Sequence, residues 1–184
     1  TPKSHPLNVP NIFSQLGNKN WKVYAESMLQ PCQKTNTALY VARHNPPTYY
    51  TNLTSQCGIQ DVPLNVSPNL TSKLTLIIPN QQNNTHDTNV KTGDMWLKNT
   101  VTKLVSTPQY KQGKTLIMIT YDEDEGSADN LIPTIVVAPS IKPGTISLTR
   151  YSHYSMLRTT EEILGLPLLA NAKTASSMKK GFGL

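Results

Sequence analysis

Three observations predict an α/β fold. Short, nearly continuous apolar runs at 74–78, 115–121 and 132–138 read as strands buried on both faces. Two amphipathic segments, 92–106 and 152–164, alternate with them as helices. The resulting order of strand, helix, strand, strand, helix argues for a sheet covered on both sides.

Taken in chain order, residues 11–17 read as a short helix with Asn11 as N-cap and Gly17 as its stop. Residues 21–25 alternate apolar and polar like a strand. Residues 30–70 are rich in Pro, Asn, Thr and Ser and read as a long ordered loop or insertion. Strand 74–78 is ended by Pro79, and a polar loop from Asn80 to Val90 follows it. In helix 92–106, Leu97, Val101, Leu104 and Val105 share one face and Thr92 is placed to cap. Strand 132–138 carries Pro133 at its start, where a missing N–H is tolerated. Helix 152–164 has Ser152 as candidate N-cap, with Gly165 and Pro167 closing it.

The chain of 184 residues suits one domain, and 37% hydrophobic residues gathered in runs exclude disorder. No apolar stretch is long enough to span a bilayer, so no transmembrane segment is expected. Residues 1–10 are polar and proline-rich, unlike a signal peptide. A net charge of +6 favours phosphate-bearing substrates or anionic surfaces. The basic residues are dispersed without interleaved aromatics, so no nucleic-acid partner is expected. Cys32 and Cys57 are either two buried thiols or a disulfide. The disulfide is favoured, because the segment between them lacks a strong strand or helix pattern and needs restraint. Four Asn-X-Ser/Thr triplets, beginning at Asn52, Asn65, Asn69 and Asn83, join the cysteines in pointing to a secreted or cell-surface protein.

Polar clusters stand where α/β sheets build sites, beyond the ends of strands. His86-Asp87 lies in the loop after strand 74–78. Asp122-Glu-Asp-Glu-Gly126 follows strand 115–121 directly, and His153 opens the last helix. Carboxylates plus two histidines make a reasonable ligand set for a divalent ion. Each cluster also has a plainer reading: an exposed turn, a solvated acidic run, an ordinary helix start. Arg43-His44 is a further candidate, suited to binding a phosphate oxygen; the plainer readings are that both are solvent-exposed, or that His44 packs against Pro46 and Tyr49.

The stretches Trp21-Lys-Val-Tyr-Ala-Glu-Ser-Met28, Arg43-His-Asn-Pro46, Pro79-Asn80 with His86-Asp87, Thr92-Gly-Asp-Met-Trp-Leu97, Thr120-Tyr-Asp-Glu-Asp-Glu-Gly126 and Thr149 to Glu162 stand in a distinctive order. Together they resemble the acid phosphatase and phospholipase C family of phosphoesterases, in its alkaline-phosphatase-like superfamily. The resemblance implies a three-layer α/β/α sandwich with a mainly parallel sheet. It implies a divalent metal ion (Zn, Ca, Mg or Mn) at Asp87, Asp122, Glu123 and His153, with Asp124 the alternative second carboxylate. His86 and His153 take catalytic places, and Arg43 and His44 bind phosphate. Cys32 and Cys57 fall where secreted bacterial members often carry a pair. The implied activity is hydrolysis of phosphate-ester substrates through a covalent phospho-enzyme, with phospholipase C-like diester cleavage or a non-catalytic surface domain as alternatives. The family's nucleophile and an acidic-plus-Asn pair match nothing in 1–184. The expectation is therefore that this chain is the C-terminal part of a single phosphoesterase domain, inactive alone and completed by an N-terminal segment of the same protein.

Overall fold

The computed structural model describes residues 1–65, 67–126 and 129–184. Val66, the middle of one Asn-X-Ser triplet, lies outside them. The chain forms two compact units, Thr1–Val101 with Glu161–Ala170, and Thr102–Thr160 with Asn171–Leu184.

The first unit is built on strand β1, Trp21–Ala25. Ahead of it, helix α1, Ile12–Leu16, is held by a capping box in which Asn11 Oδ1 accepts the Ser14 N–H and Ser14 Oγ accepts the Asn11 N–H. Gly17 ends the helix at φ 66°, a left-handed value that favours glycine. Helix α2, Thr54–Gln60, leads into strand β2, Asp61–Pro63, and strand β3, Leu74–Ile78, follows. The three strands make a parallel sheet in the order β2-β1-β3, with Val23 opposite Asp61 and Leu76. Pro63 sits on the edge strand, where its missing N–H breaks no inner ladder. Because β1 is central, Trp21, Val23 and Ala25 are fully buried. Trp21 and Val23 pack with Phe13, Leu16, Leu53 and Cys57, and Leu164 and Leu166 close over the cluster.

The region expected to be one long loop holds three 3-10 turns, α2 and β2. Pieces of three to seven residues are too short to show a helical period, and Pro46-Pro47 starts a turn as readily as it breaks a helix. Helix α3, Val90–Val105, begins earlier than expected. Its cap is Asn89, whose Oδ1 accepts the Thr92 N–H at 3.1 Å, so Thr92 is already inside the helix.

In the second unit the short helix α4, Pro108–Lys111, is capped by Thr107. Strands β4, Ile117–Thr120, and β5, Thr134–Val137, pair antiparallel, Thr120 opposite Thr134. This corrects the expectation of strands buried on both faces: β4 is half-buried throughout and Ile135 is 52% exposed. Helix α5, His153–Leu164, starts after Ser152, whose N–H donates to Ser155 Oγ. Helix α6, Lys179–Phe182, ends the chain. The architecture is α/β with a mainly parallel sheet. No helix among the described residues is long and apolar enough to cross a membrane.

Cys32 and Cys57 form a disulfide with Cα atoms 5.3 Å apart. Beside it, Asp61 is fully buried. Its two carboxylate oxygens accept from Asn45 Nδ2 at 3.0 and 2.8 Å, and Asn45 Nδ2 also reaches the Tyr40 hydroxyl. Burial pushes the Asp61 carboxyl up to about 7, against the opposing pull of Asn45 and Lys22. Burial likewise pushes the Tyr40 hydroxyl up to about 12.

Two outcomes follow from this cluster. Opening the disulfide, by reduction or by Cys32→Ser with Cys57→Ser, frees a 25-residue separation in the unfolded chain and costs about 3 kcal/mol, read as a lowered urea midpoint. Asp61 binds its proton more tightly folded than unfolded. Its contribution is therefore complete below about pH 4 and is lost as pH rises through about 7. Asp61→Asn should flatten that part of the pH–stability curve, which carries roughly 1.4 kcal/mol per unit of pKa displacement. A wild-type and an Asp61→Asn protein whose thermal midpoints run parallel from pH 4 to 7 would refute the assignment.

Candidate functional site

Parallel pairing of β1 and β3 brings their C-terminal ends together, and the candidate residues of the first unit grow from that edge. Glu26 follows β1 and Asn80 follows β3 by two residues. The Glu26 N–H donates to the Ile78 carbonyl at 2.9 Å, and the Asn80 N–H donates to Glu26 Oε2 at 3.0 Å. The loop then turns on its own amides. Asn80 Oδ1 accepts from the N–H groups of Gln82 and Asn83, and Asn84 Oδ1 accepts from that of His86. The Asp87 N–H closes the loop onto the Gln81 carbonyl at 3.0 Å. The amide-rich stretch 81–84 is thus the loop's internal scaffold.

At the tip, His86 Nδ1 lies 2.7 Å from Asp87 Oδ1, and both side chains are about half exposed. A carboxylate oxygen only accepts, so Nδ1 carries the proton. Nε2 is then the ring atom left to face a ligand. Arg43 is exposed and His44 half-buried, on the 3-10 turn Ala42–His44 of the same unit. The His86–Asp87 pair is complete without them.

In the second unit Asp122 lies in the connection between antiparallel strands, so the parallel-edge rule is not what places it. It is tied to the start of α5: His153 Nε2 lies 2.8 Å from the Asp122 carbonyl oxygen. A carbonyl cannot donate, so Nε2 carries the proton and Nδ1 keeps its lone pair in the neutral ring. Histidines that bind metals are held in this manner, with the second ring N–H on a carbonyl or carboxylate.

The acidic run divides its labour. Asp124, half-buried, accepts the Gly126 N–H at 2.8 Å on Oδ1, and its own N–H donates to Asn130. Gly126 stands at φ 95°, which an ordinary side chain resists. Asp122 and Glu123 are exposed. Among the described residues, one group of three His, Cys, Asp or Glu ligand atoms lies within 4.8 Å: Cys32, Cys57 and Asp61. Its sulfurs are joined to each other, which removes both thiolates. His153, Asp122 and Glu123 are not gathered within that distance, although an imidazole with its proton on Nε2 and two exposed carboxylates are donor types that bind divalent ions. A cleft of about 460 Å³ in this unit, lined by β5, Lys142 and Phe182, includes none of these residues.

Sequence reasoning missed Glu26. The available signal was its position, a carboxylate directly after an alternating strand.

The chain is 32% identical to a phosphatidylinositol-3-phosphatase of Mycobacterium tuberculosis, over 95% of its own length and 60% of that protein's. It is 30% identical to an acid phosphatase of Aspergillus fumigatus, over 89% of this chain and 41% of that one. A probable acid phosphatase of Kluyveromyces lactis is 28% identical over 90% of this chain and 44% of its own. The chain therefore spans between two fifths and three fifths of the length of these relatives. No solved structure matches it. The phosphoesterase family matches residues 1–167, a span that contains His86, Asp87, Asp122, Glu123 and His153, and the chain belongs to that family.

Proposed function

We propose that this protein hydrolyses phosphate monoesters through a covalent phospho-enzyme. The observation that carries the reading is the matched state of the two histidines. Each has one ring nitrogen fixed by an oxygen acceptor, on an exposed side chain at a strand-end loop or a helix start. The names of the relatives, acid phosphatases and a phosphatidylinositol-3-phosphatase, point to removal of a monoester phosphate.

In this reading His86 is the general acid. As imidazolium it keeps Nδ1–H on Asp87 and delivers the Nε2 proton to the leaving alkoxide oxygen. It takes a proton back from the water that later opens the phospho-enzyme. Asp87 orients the ring through that bond. Arg43 and His44 offer donors to the non-bridging phosphate oxygens. His153 through Nδ1, with Asp122 and Glu123, would hold a divalent ion. Such an ion supplies charge neutralisation at phosphate and activates the nucleophile. None of these residues is assigned as the nucleophile. Secretion to an oxidising compartment accords with the disulfide.

The test follows hydrolysis of p-nitrophenyl phosphate and binding of inorganic phosphate by 31P NMR. His86→Ala should lower kcat by about 100-fold or more, and Asp87→Asn by less, in line with a general acid and its orienting partner. Chelation should abolish turnover, with recovery on adding one of the divalent ions. Turnover that survives both His86→Ala and chelation would reject the site. A protein that binds phosphate without any turnover would reject the catalytic reading for this chain.

A further inference from the structure

The Glu26 carboxylate is the one acidic group of the first unit that lies at the sheet's C-terminal edge and is met entirely by N–H donors of the candidate loop and its flanking helix. The Asn80 N–H reaches Oε2 at 3.0 Å. Asn83 Nδ2 lies 2.9 Å from both oxygens. Trp96 Nε1, on α3, donates to Oε1 at 3.2 Å. Three separate segments of sequence are thus tied to one carboxylate: the end of β1, the loop after β3, and the first half of α3.

A second feature has the same purpose. Gly93 lies on α3 where a Cβ would collide with the Thr85 side chain and press on the Asn83 carbonyl. The loop therefore lies directly against the helix, and this contact lets Trp96 reach the carboxylate that Asn83 also holds. Past Thr85, which stands at φ 73°, the next residue is His86.

We infer that Glu26 is the positioning residue of the His86–Asp87 pair. It acts by clamping Asn80 and Asn83, so that the short chain from Asn84 to Asp87 leaves the scaffold in a single direction. A charged acceptor suits the task. Hydrogen bonds to an ionised oxygen are shorter and stronger than neutral ones, and several converging donors give one geometry instead of many. This inference rests on the proposed role of His86 only for its bearing on catalysis. The clamp itself is read from the hydrogen bonds.

The test is Glu26→Gln in the whole chain, read by amide hydrogen exchange and by 15N NMR of the imidazoles. The amide keeps the shape of the side chain but turns an N–H toward donors. Exchange at the His86 and Asp87 amides should accelerate by about tenfold or more, as local openings become easier, while Val23 and Tyr24 in β1 keep their wild-type rates. The His86 ring should lose its Nδ1–H preference, a signature that a general loss of stability would not produce. Wild-type exchange and tautomer in Glu26→Gln would overturn the inference, as would acceleration spread evenly through β1. Should that variant fail to fold, Trp96→Phe removes one donor and should give a smaller acceleration, roughly threefold, confined to the same loop. No change there would equally overturn it. The phosphatase reading is judged separately: His86→Ala with undiminished phosphate binding and turnover rejects the role of His86 and leaves the exchange result of Glu26→Gln standing.

Discussion

The backbone hydrogen bonds that β1 exchanges with β2 on one side and β3 on the other organise the first unit. With both edges occupied, every second side chain of β1 enters the apolar cluster, and Trp21, Val23 and Ala25 have no route to water. The tilted Phe13–Trp21 ring contact, with centroids 4.8 Å apart, anchors α1 to that strand. Parallel pairing also decides which end carries chemistry. Strands that run the same way end together, so Glu26 and Asn80 meet although 54 residues separate them.

On the β2 side, the cluster of Asp61, Asn45, Tyr40 and the disulfide is the polar counterpart of the apolar core. A buried carboxyl is costly unless its oxygens are met, and here Asn45 meets both while the hydroxyl of Tyr40 donates to the Gln33 carbonyl. The Cys32 N–H donates to the Asp61 carbonyl at 3.0 Å, so the cross-link and the start of β2 support one another. This gives the irregular stretch between Cys32 and Asp61 a defined path without long helices or strands.

The two histidines illustrate how a fold prepares an imidazole. Both are exposed. What constrains them is the partner on one nitrogen, a carboxylate for His86 and a backbone carbonyl for His153. The acceptors differ in kind. Each acceptor selects the tautomer with the proton on the bonded nitrogen, so Nε2 of His86 and Nδ1 of His153 keep the lone pair of the neutral ring.

The sequence by itself determined the class of the fold, the strand at 74–78, the caps at Asn11 and Gly17, the cysteine pairing and the family. These depend on local signals, such as apolar runs, capping residues and motifs in order, that are complete within a few neighbours. The residues of the candidate loops were legible in the same way, as His86-Asp87 and Asp122-Glu123 beside strand ends. The tertiary structure alone decided the antiparallel pairing of β4 with β5, the short elements between Cys32 and Asp61, and the clamp at Glu26. Each of these depends on a partner distant in the chain or on a choice between equally apolar neighbours. A strand's direction is set by the strand it pairs with, and a carboxylate's role is set by the donors that reach it. Neither is written in the few residues on either side.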